Sequence, residues 1–259
     1  MIFIHGGFWR AAYDRTHTGP LAAGLAAEGF AVCTPEFRKI GQPQGGWPGT
    51  FDDVAAAVAA LPALIAAWAG LTGRPDENPA GRPSPAAGAG QTSALGPVVF
   101  AGHSAGGHLA LWAAARHRLP AGSPWHASTP GCAGVVALAA VSDLVSGYQR
   151  RLGDGAVAEL LGGGPARQAV RYAQTDPAVL IPTGVPVDLV HGREDEIVPC
   201  ELSAEYAARA RAVGDEVTYR VLPGAGHFDV IEPLSAAWPQ VLNAFRAVVG
   251  SRPQGNWPD

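Results

Sequence analysis

The chain has 259 residues, 47% of them hydrophobic and 15% charged, with a formal net charge of −4. That profile excludes a disordered chain, and it lacks the basic footprint of a nucleic-acid binder. The length suits a single α/β domain over 1–259, able to bury most of its unfolded surface.

Met1–Ile4 is a short apolar run ahead of a glycine pair. Leu21–Glu28 is helical in composition, and "GFAVCTPEF" reads as a strand. "TFDDVAAAVAALPALIAAWAG" reads as a helix with its acidic residues in the first turn. Its most apolar part, from Val54 to Gly70, is expected to break at Pro62 and to be too short for a bilayer, so no membrane partner is expected. The N-terminus has no basic stretch ahead of an apolar core, so the expectation is no signal peptide and a cytoplasmic location. Residues 72–97 are rich in Pro, Gly, Ala and Ser and read as a flexible surface insertion.

"PVVFAGHSAGGHLALWAAARH" reads as a buried strand, a tight turn and a helix, and "GVVALAAVSD" as another buried strand. "GVPVDLVHGREDEIVP" and "EVTYRVLPGAGHFDVI" each supply a strand and a loop, and a helix follows from about Leu234 to Val249. Continuous apolar strands alternating with helices predict a doubly wound, mostly parallel sheet covered on both faces.

Gly102-His103-Ser104-Ala105-Gly106 fits G-x-S-x-G between a predicted strand and a predicted helix. The glycines permit a sharp turn that lifts a serine hydroxyl out of the sheet at a helix N-terminus, so Ser104 is the candidate nucleophile. A serine needs a base, and the chain offers eight histidines. His227 follows the last strand in a glycine-rich loop and is the candidate base. His103 and His108 read as packing or helix-surface residues, and His191 as a structural histidine. Asp195 is the candidate carboxylate to orient the imidazole, with Glu194, Glu196 and Asp143 as rivals. Ser104, Asp195 and His227 come in that order along the chain. In "HGGFW" the glycines would let backbone amides approach a developing oxyanion; Gly7, Phe8 and Ala105 are the candidate donors, with His5 holding the loop. Trp9 either walls a substrate pocket or packs inside; Tyr148 and Phe228, together with the Phe8 side chain, are further candidates for an apolar slot. Cys33, Cys132 and Cys200 are far apart and odd in number and show neither a disulfide framework nor metal-ligand spacing; no metal and no cofactor is expected.

Taken in order, "HGGFW", "GHSAGGHLA", "HGREDEIVP" and "GAGHFDVIE" resemble the α/β-hydrolase family over nearly the whole chain apart from the insertion. "PEFRKIG" and "WPGTFDDVAAAV" look like the hormone-sensitive-lipase-like and esterase/deacetylase-like branches. The combination is most similar to serine-type kynurenine formamidase (arylformamidase), which splits N-formyl-L-kynurenine in tryptophan degradation. That resemblance implies a metal-free Ser104–Asp195–His227 triad, an oxyanion loop at His5–Trp9 and a small-molecule acyl substrate. A short-chain carboxylesterase and a non-catalytic binding protein are the alternatives. The family sheet has the order 1-2-4-3-5-6-7-8 with the oxyanion loop after strand 3. The resemblance therefore makes Met1–Ile4 strand 3 and "FAVCT" strand 4 at the sheet edge, with strands 1 and 2 lacking. Two readings of that departure stand side by side: roughly 30 to 60 further residues upstream, or a true truncation whose apolar edge is covered in a homodimer.

Overall fold

The computed structural model describes residues 1–72 and 96–250. The insertion expected at 72–97 falls, but for its ends, outside the described residues. In chain order the elements are β1 (Ile2–Ile4), α1 (Gly19–Ala27), α2 (Gly49–Thr72), β2 (Val99–His103), α3 (Ala105–Ala114), β3 (Gly134–Leu138), α4 (Leu144–Gln149), α5 (Leu152–Leu161), α6 (Ala169–Thr175), β4 (Val187–Gly192), α7 (Glu201–Ala212), β5 (Val217–Leu222) and α8 (Trp238–Gly250). Among the described residues the strands form one parallel sheet in the order β1-β2-β3-β4-β5.

β1 to β4 are buried along their whole length because both faces are covered, and they are mostly apolar, whereas β5 at the edge exposes Thr218 and only half-buries Tyr219 and Arg220. Ile2, Ile4, Phe100, Val135, Ala137, Val187 and Leu189 point to a core built with α2, α3 and α7. Their neighbours Phe3, Val99, Ala101, Val136, Leu138 and Val190 point the other way, to a core built with α1 and α8. The alternation is the period-two geometry of a strand.

Two sequence expectations change. Residues 30–35 lie alongside β1 as predicted but do not form a strand. Phe3 N–H donates to Cys33 O at 2.8 Å, Cys33 N–H donates to Met1 O at 3.0 Å, and the pairing stops there. The next bond of a parallel ladder would need an N–H at position 35, which is proline. Counting this segment beside β1, the order corresponds to 4-3-5-6-7-8 of the resembled sheet, and none of the described residues fills the places of strands 1 and 2. The second change is at Pro62, which does not end α2; the helix continues through it to Thr72. By length and composition Gly49–Ala67 could therefore cross a membrane, although its Phe51, Val54 and Val58 side chains belong to the core.

Candidate active site

The candidate residues collect at the C-terminal ends of the strands, where open α/β sheets bind ligands. Ser104 sits between β2 and α3 with φ 56° and ψ −119°, a conformation that is strained for a residue with a side chain. Its neighbours make the turn possible. A Cβ on Gly102 would run into the Gly106 carbonyl, and a Cβ on Gly106 would run into the Ile4 carbonyl. Ser104 N–H donates to Leu138 O at 2.8 Å and its carbonyl accepts from His108 N–H at 3.1 Å, which locks the turn to β3 and α3.

The loop after β1 is equally constrained. Gly7, Phe8 and Trp9 are three successive left-handed residues, with φ of 104°, 49° and 56°. For Phe8 and Trp9 this conformation costs about 1 to 3 kcal/mol each, so the surroundings must impose it. They do. A side chain on Gly7 would collide with Tyr13, and the Phe8 ring lies on Gly153 in the left-handed turn that opens α5. His5 is fully buried, stacks on Phe37 at 4.5 Å between centroids, and bonds the Gly6 carbonyl through Nδ1 at 2.8 Å. The backbone N–H groups of Gly7, Phe8 and Ala105 have no acceptor among the described residues. That leaves three donors available beside the Ser104 turn.

His227 comes from the loop after β5. Gly192 lets this loop abut the end of β4, since a Cβ there would strike the Ala225 carbonyl. Asp229 closes the loop by accepting from Gly226 N–H at 2.6 Å. His227 Nδ1 lies 2.6 Å from Asp195 Oδ2. An ionised carboxylate only accepts, so Nδ1 carries the hydrogen and Nε2 is the free lone pair. Asp195 is well provided with donors. Its Oδ1 accepts from the amides of Ile197 at 2.9 Å and Val198 at 2.8 Å, and its Oδ2 also faces His191 Nε2 at 3.1 Å. Burial pushes this carboxyl upward, but the bonds from His191 and His227 outweigh it and hold it well below the usual carboxylate range.

Ser104 and His227 open on one cavity of about 410 Å³, with Gly7, Phe8, Tyr13 and Phe228 also in its wall. The lining carries Asp229 and Glu232 and, among the described residues, no lysine or arginine. A separate apolar cavity of about 340 Å³ lies at the opposite ends of β1 and β2, against Phe30, Pro62 and Ile65, and contains none of the candidate residues.

Residues 95–209 match the BD-FAE family model. Esterase LipC of Mycobacterium tuberculosis is 26% identical over 242 residues, covering 90% of this chain and 53% of that protein. The chain thus spans about half the length of that curated relative. Among solved structures, a truncated carbohydrate esterase from gut microbiota superposes with a TM-score of 0.68 at 20% identity, covering 96% of this chain and 85% of that one. A carboxylesterase from Lactobacillus plantarum gives a TM-score of 0.66 at 17% identity, over 97% and 87% of the two chains. An esterase from Thermogutta terrifontis gives 0.64 at 19% identity, over 98% and 83%. The chain has the α/β-hydrolase fold.

Within this fold two pocket expectations are corrected. Trp9 is fully buried, its Nε1–H donates to His108 Nδ1 at 3.2 Å, and it does not reach the cavity. The left-handed backbone at residue 9 turns the indole inward, where His108, also fully buried rather than on a helix surface, meets it edge-on. Tyr148 packs on Gly164 and edge-on to Tyr172, and it is not in the cavity wall. Phe228 is in the wall, 58% exposed. Of the rival carboxylates, Asp143 caps α4 by accepting from Ser146 N–H at 2.7 Å and pairs with Arg209 at 2.8 Å. Glu194 and Glu196 are exposed. Sequence reasoning missed Tyr13, whose ring side covers Gly7, and the bond from His191 to Asp195. Nothing local in the sequence marks either contact.

Proposed function

We propose that this chain is a serine hydrolase of the carboxylesterase type. Ser104 attacks the ester carbonyl, and His227 Nε2 takes the hydroxyl proton and returns it to the leaving alcohol. Asp195 orients His227 through Nδ1–H and stabilises the imidazolium. The amides of Gly7, Phe8 and Ala105 receive the oxyanion; each such donor is worth about 3 to 4 kcal/mol in the barrier. Water, activated by the same imidazole, then hydrolyses the acyl-enzyme. The observation that carries this reading is the 2.6 Å contact between His227 and Asp195 beside a cavity that Ser104 also lines. The esterase names of LipC and of the similar solved structures support it.

The formamidase of the sequence resemblance is a finer version of the same chemistry. Its substrate is an α-amino acid carrying both an ammonium and a carboxylate; the cavity lining offers Asp229 and Glu232 for the first and, among the described residues, no lysine or arginine for the second. The esterase names of the similar proteins favour an ester over this formamide. The test is hydrolysis of aryl esters of increasing acyl length beside N-formyl-L-kynurenine, with labelling of Ser104 by a fluorophosphonate. Ester turnover that Ser104→Ala lowers by about 10⁴-fold or more is the expected result. Formamide turnover well above ester turnover would return the chain to the formamidases. Absence of both labelling and turnover in folded protein would leave the binding-protein alternative.

A further inference from the structure

We propose that His191 is a positioning residue that fixes Asp195 from β4 and sets how much of the carboxylate charge His227 meets. This rests on the triad reading given above.

His191 lies on β4 and is fully buried. Its Nε2 faces two acceptors, Asp195 Oδ2 at 3.1 Å and the Val198 carbonyl at 2.9 Å. A carbonyl cannot donate, so Nε2 carries the hydrogen and shares it between the two oxygens. Nδ1 is then the lone pair and accepts from Ser203 Oγ–H on α7, 2.8 Å away. Ser203 is fully buried as well, so no water replaces either bond. The tautomer of His191 is thus set by the two acceptors at Nε2, Ser203 anchors the ring to α7, and the Asp195–Val198 turn is tied to β4 through its side chain and its backbone.

The geometry has two consequences. Oδ2 is held in place by His191 while Oδ1 is held by two amides, so the carboxylate cannot rotate away from His227. In addition, the charge on Oδ2 is divided between two imidazole N–H donors, His191 and His227. Removing the His191 donor leaves His227 facing the whole of that charge, which favours its protonated form. The acid limb of the activity profile should then move to higher pH. The other polar groups facing this centre are His103 from β2, whose ring is 4.5 Å from that of His227, and His17, Asp229 and Glu232 around the cavity. They are unchanged in the variants below.

The experiment compares the full chain with His191→Leu, His191→Gln and Ser203→Ala, using a short-chain aryl ester, fluorophosphonate labelling and thermal unfolding. The glutamine amide nitrogen stands about as far along the side chain as imidazole Nε2 and can donate to the same two oxygens. His191→Leu should lower kcat by about ten- to a hundredfold with KM within about twofold, and move the acid limb of kcat/KM upward by about half a unit or more. His191→Gln should recover most of kcat and return the limb towards wild type. Ser203→Ala, which unties the ring from α7 and so loosens its bond to Oδ2, should move the limb in the same direction by less. A folded His191→Leu with an unmoved limb would overturn the proposal, as would a folded His191→Gln as impaired as the leucine variant. Should leucine prevent folding, an unmoved limb in Ser203→Ala overturns it equally. Wild-type protein that neither turns over ester nor labels at Ser104 would instead sink the triad reading, so the two failures are told apart.

Discussion

Asp195 and Asp176 are both sealed from solvent, at 8% and 1% exposure, and both follow an element that leads out of the same core. Burial pushes each carboxyl upward, yet they end on opposite sides of the ordinary range. Asp195 collects two amide donors and two imidazole donors and is held low. Asp176 accepts from Ala178 N–H at 3.0 Å and Val145 N–H at 3.2 Å, meets no cationic partner among the described residues, and has Asp143 as a neighbour of like charge. Its carboxyl is raised to about 7, first by burial and then by Asp143. Burial alone therefore says little about what a carboxylate does; the donors around it decide. Asp195 keeps its charge where the proposed mechanism needs one, whereas Asp176 is a group the fold prefers neutral.

The sharpest way to break the comparison is Asp195→Asn. The amide turns an N–H towards His227 Nδ1, which favours the wrong imidazole tautomer, and ester turnover should fall by about 10⁴-fold. A loss smaller than a hundredfold in a steady-state assay would mean that another carboxylate orients His227. The next effect is on stability. A carboxyl whose folded value is raised contributes stability that is fully present below its unfolded value, near 3.9, and lost as pH rises through about 7. Across that window wild-type stability should decline by up to about 1.4 kcal/mol per pH unit from this group. Asp176→Asn should remove that slope in urea unfolding while leaving ester turnover unchanged, because Asp176 is not in the cavity wall. Its absolute stability is not the test, since the amide hydrogens meet one of two backbone N–H donors. Equal slopes in the two proteins would show that Asp176 titrates as an ordinary surface carboxyl does.

Much of this was legible in the sequence, for reasons that differ by element. β2, β3 and β4 are covered on both faces, so β2 and β3 read as nearly unbroken apolar runs, and β4 does so but for Asp188, which pairs with Arg220, and His191. The turn at Ser104 is legible because steric exclusion at Gly102 and Gly106 leaves glycine as the workable residue. Ser104, Asp195 and His227 are recognisable because each follows a strand, and the structure brings them together at the strand ends. What was not legible depends on tertiary context. The missing edge strand turns on one absent N–H at Pro35, and the continuity of α2 overrides the local signal of Pro62. Trp9 faces inward because Tyr13 and Gly153 hold its loop in a left-handed conformation that the residues themselves disfavour. His191 lies among ordinary strand residues, and only the return of the Asp195–Val198 turn beneath it reveals its partners.

The smallest effect tests whether Asp143 or burial sets the state of Asp176. Asp143→Ala removes the cap on Ser146 N–H and the half-exposed pair with Arg209. The cap should account for about 1 kcal/mol of stability and the ion pair for a few tenths. The same substitution removes the like charge facing Asp176, so Asp176 should titrate at lower pH and the decline in stability should end earlier. The two consequences separate in one set of urea titrations. The cap lowers stability equally at pH 4.5 and 7.5, while the lost repulsion narrows the gap between those two values. A uniform drop with the gap intact would assign the raised carboxyl to burial alone and leave Asp143 only its part in holding α4. A narrowed gap would make the contrast with Asp195 a matter of neighbouring charge as well as of donors.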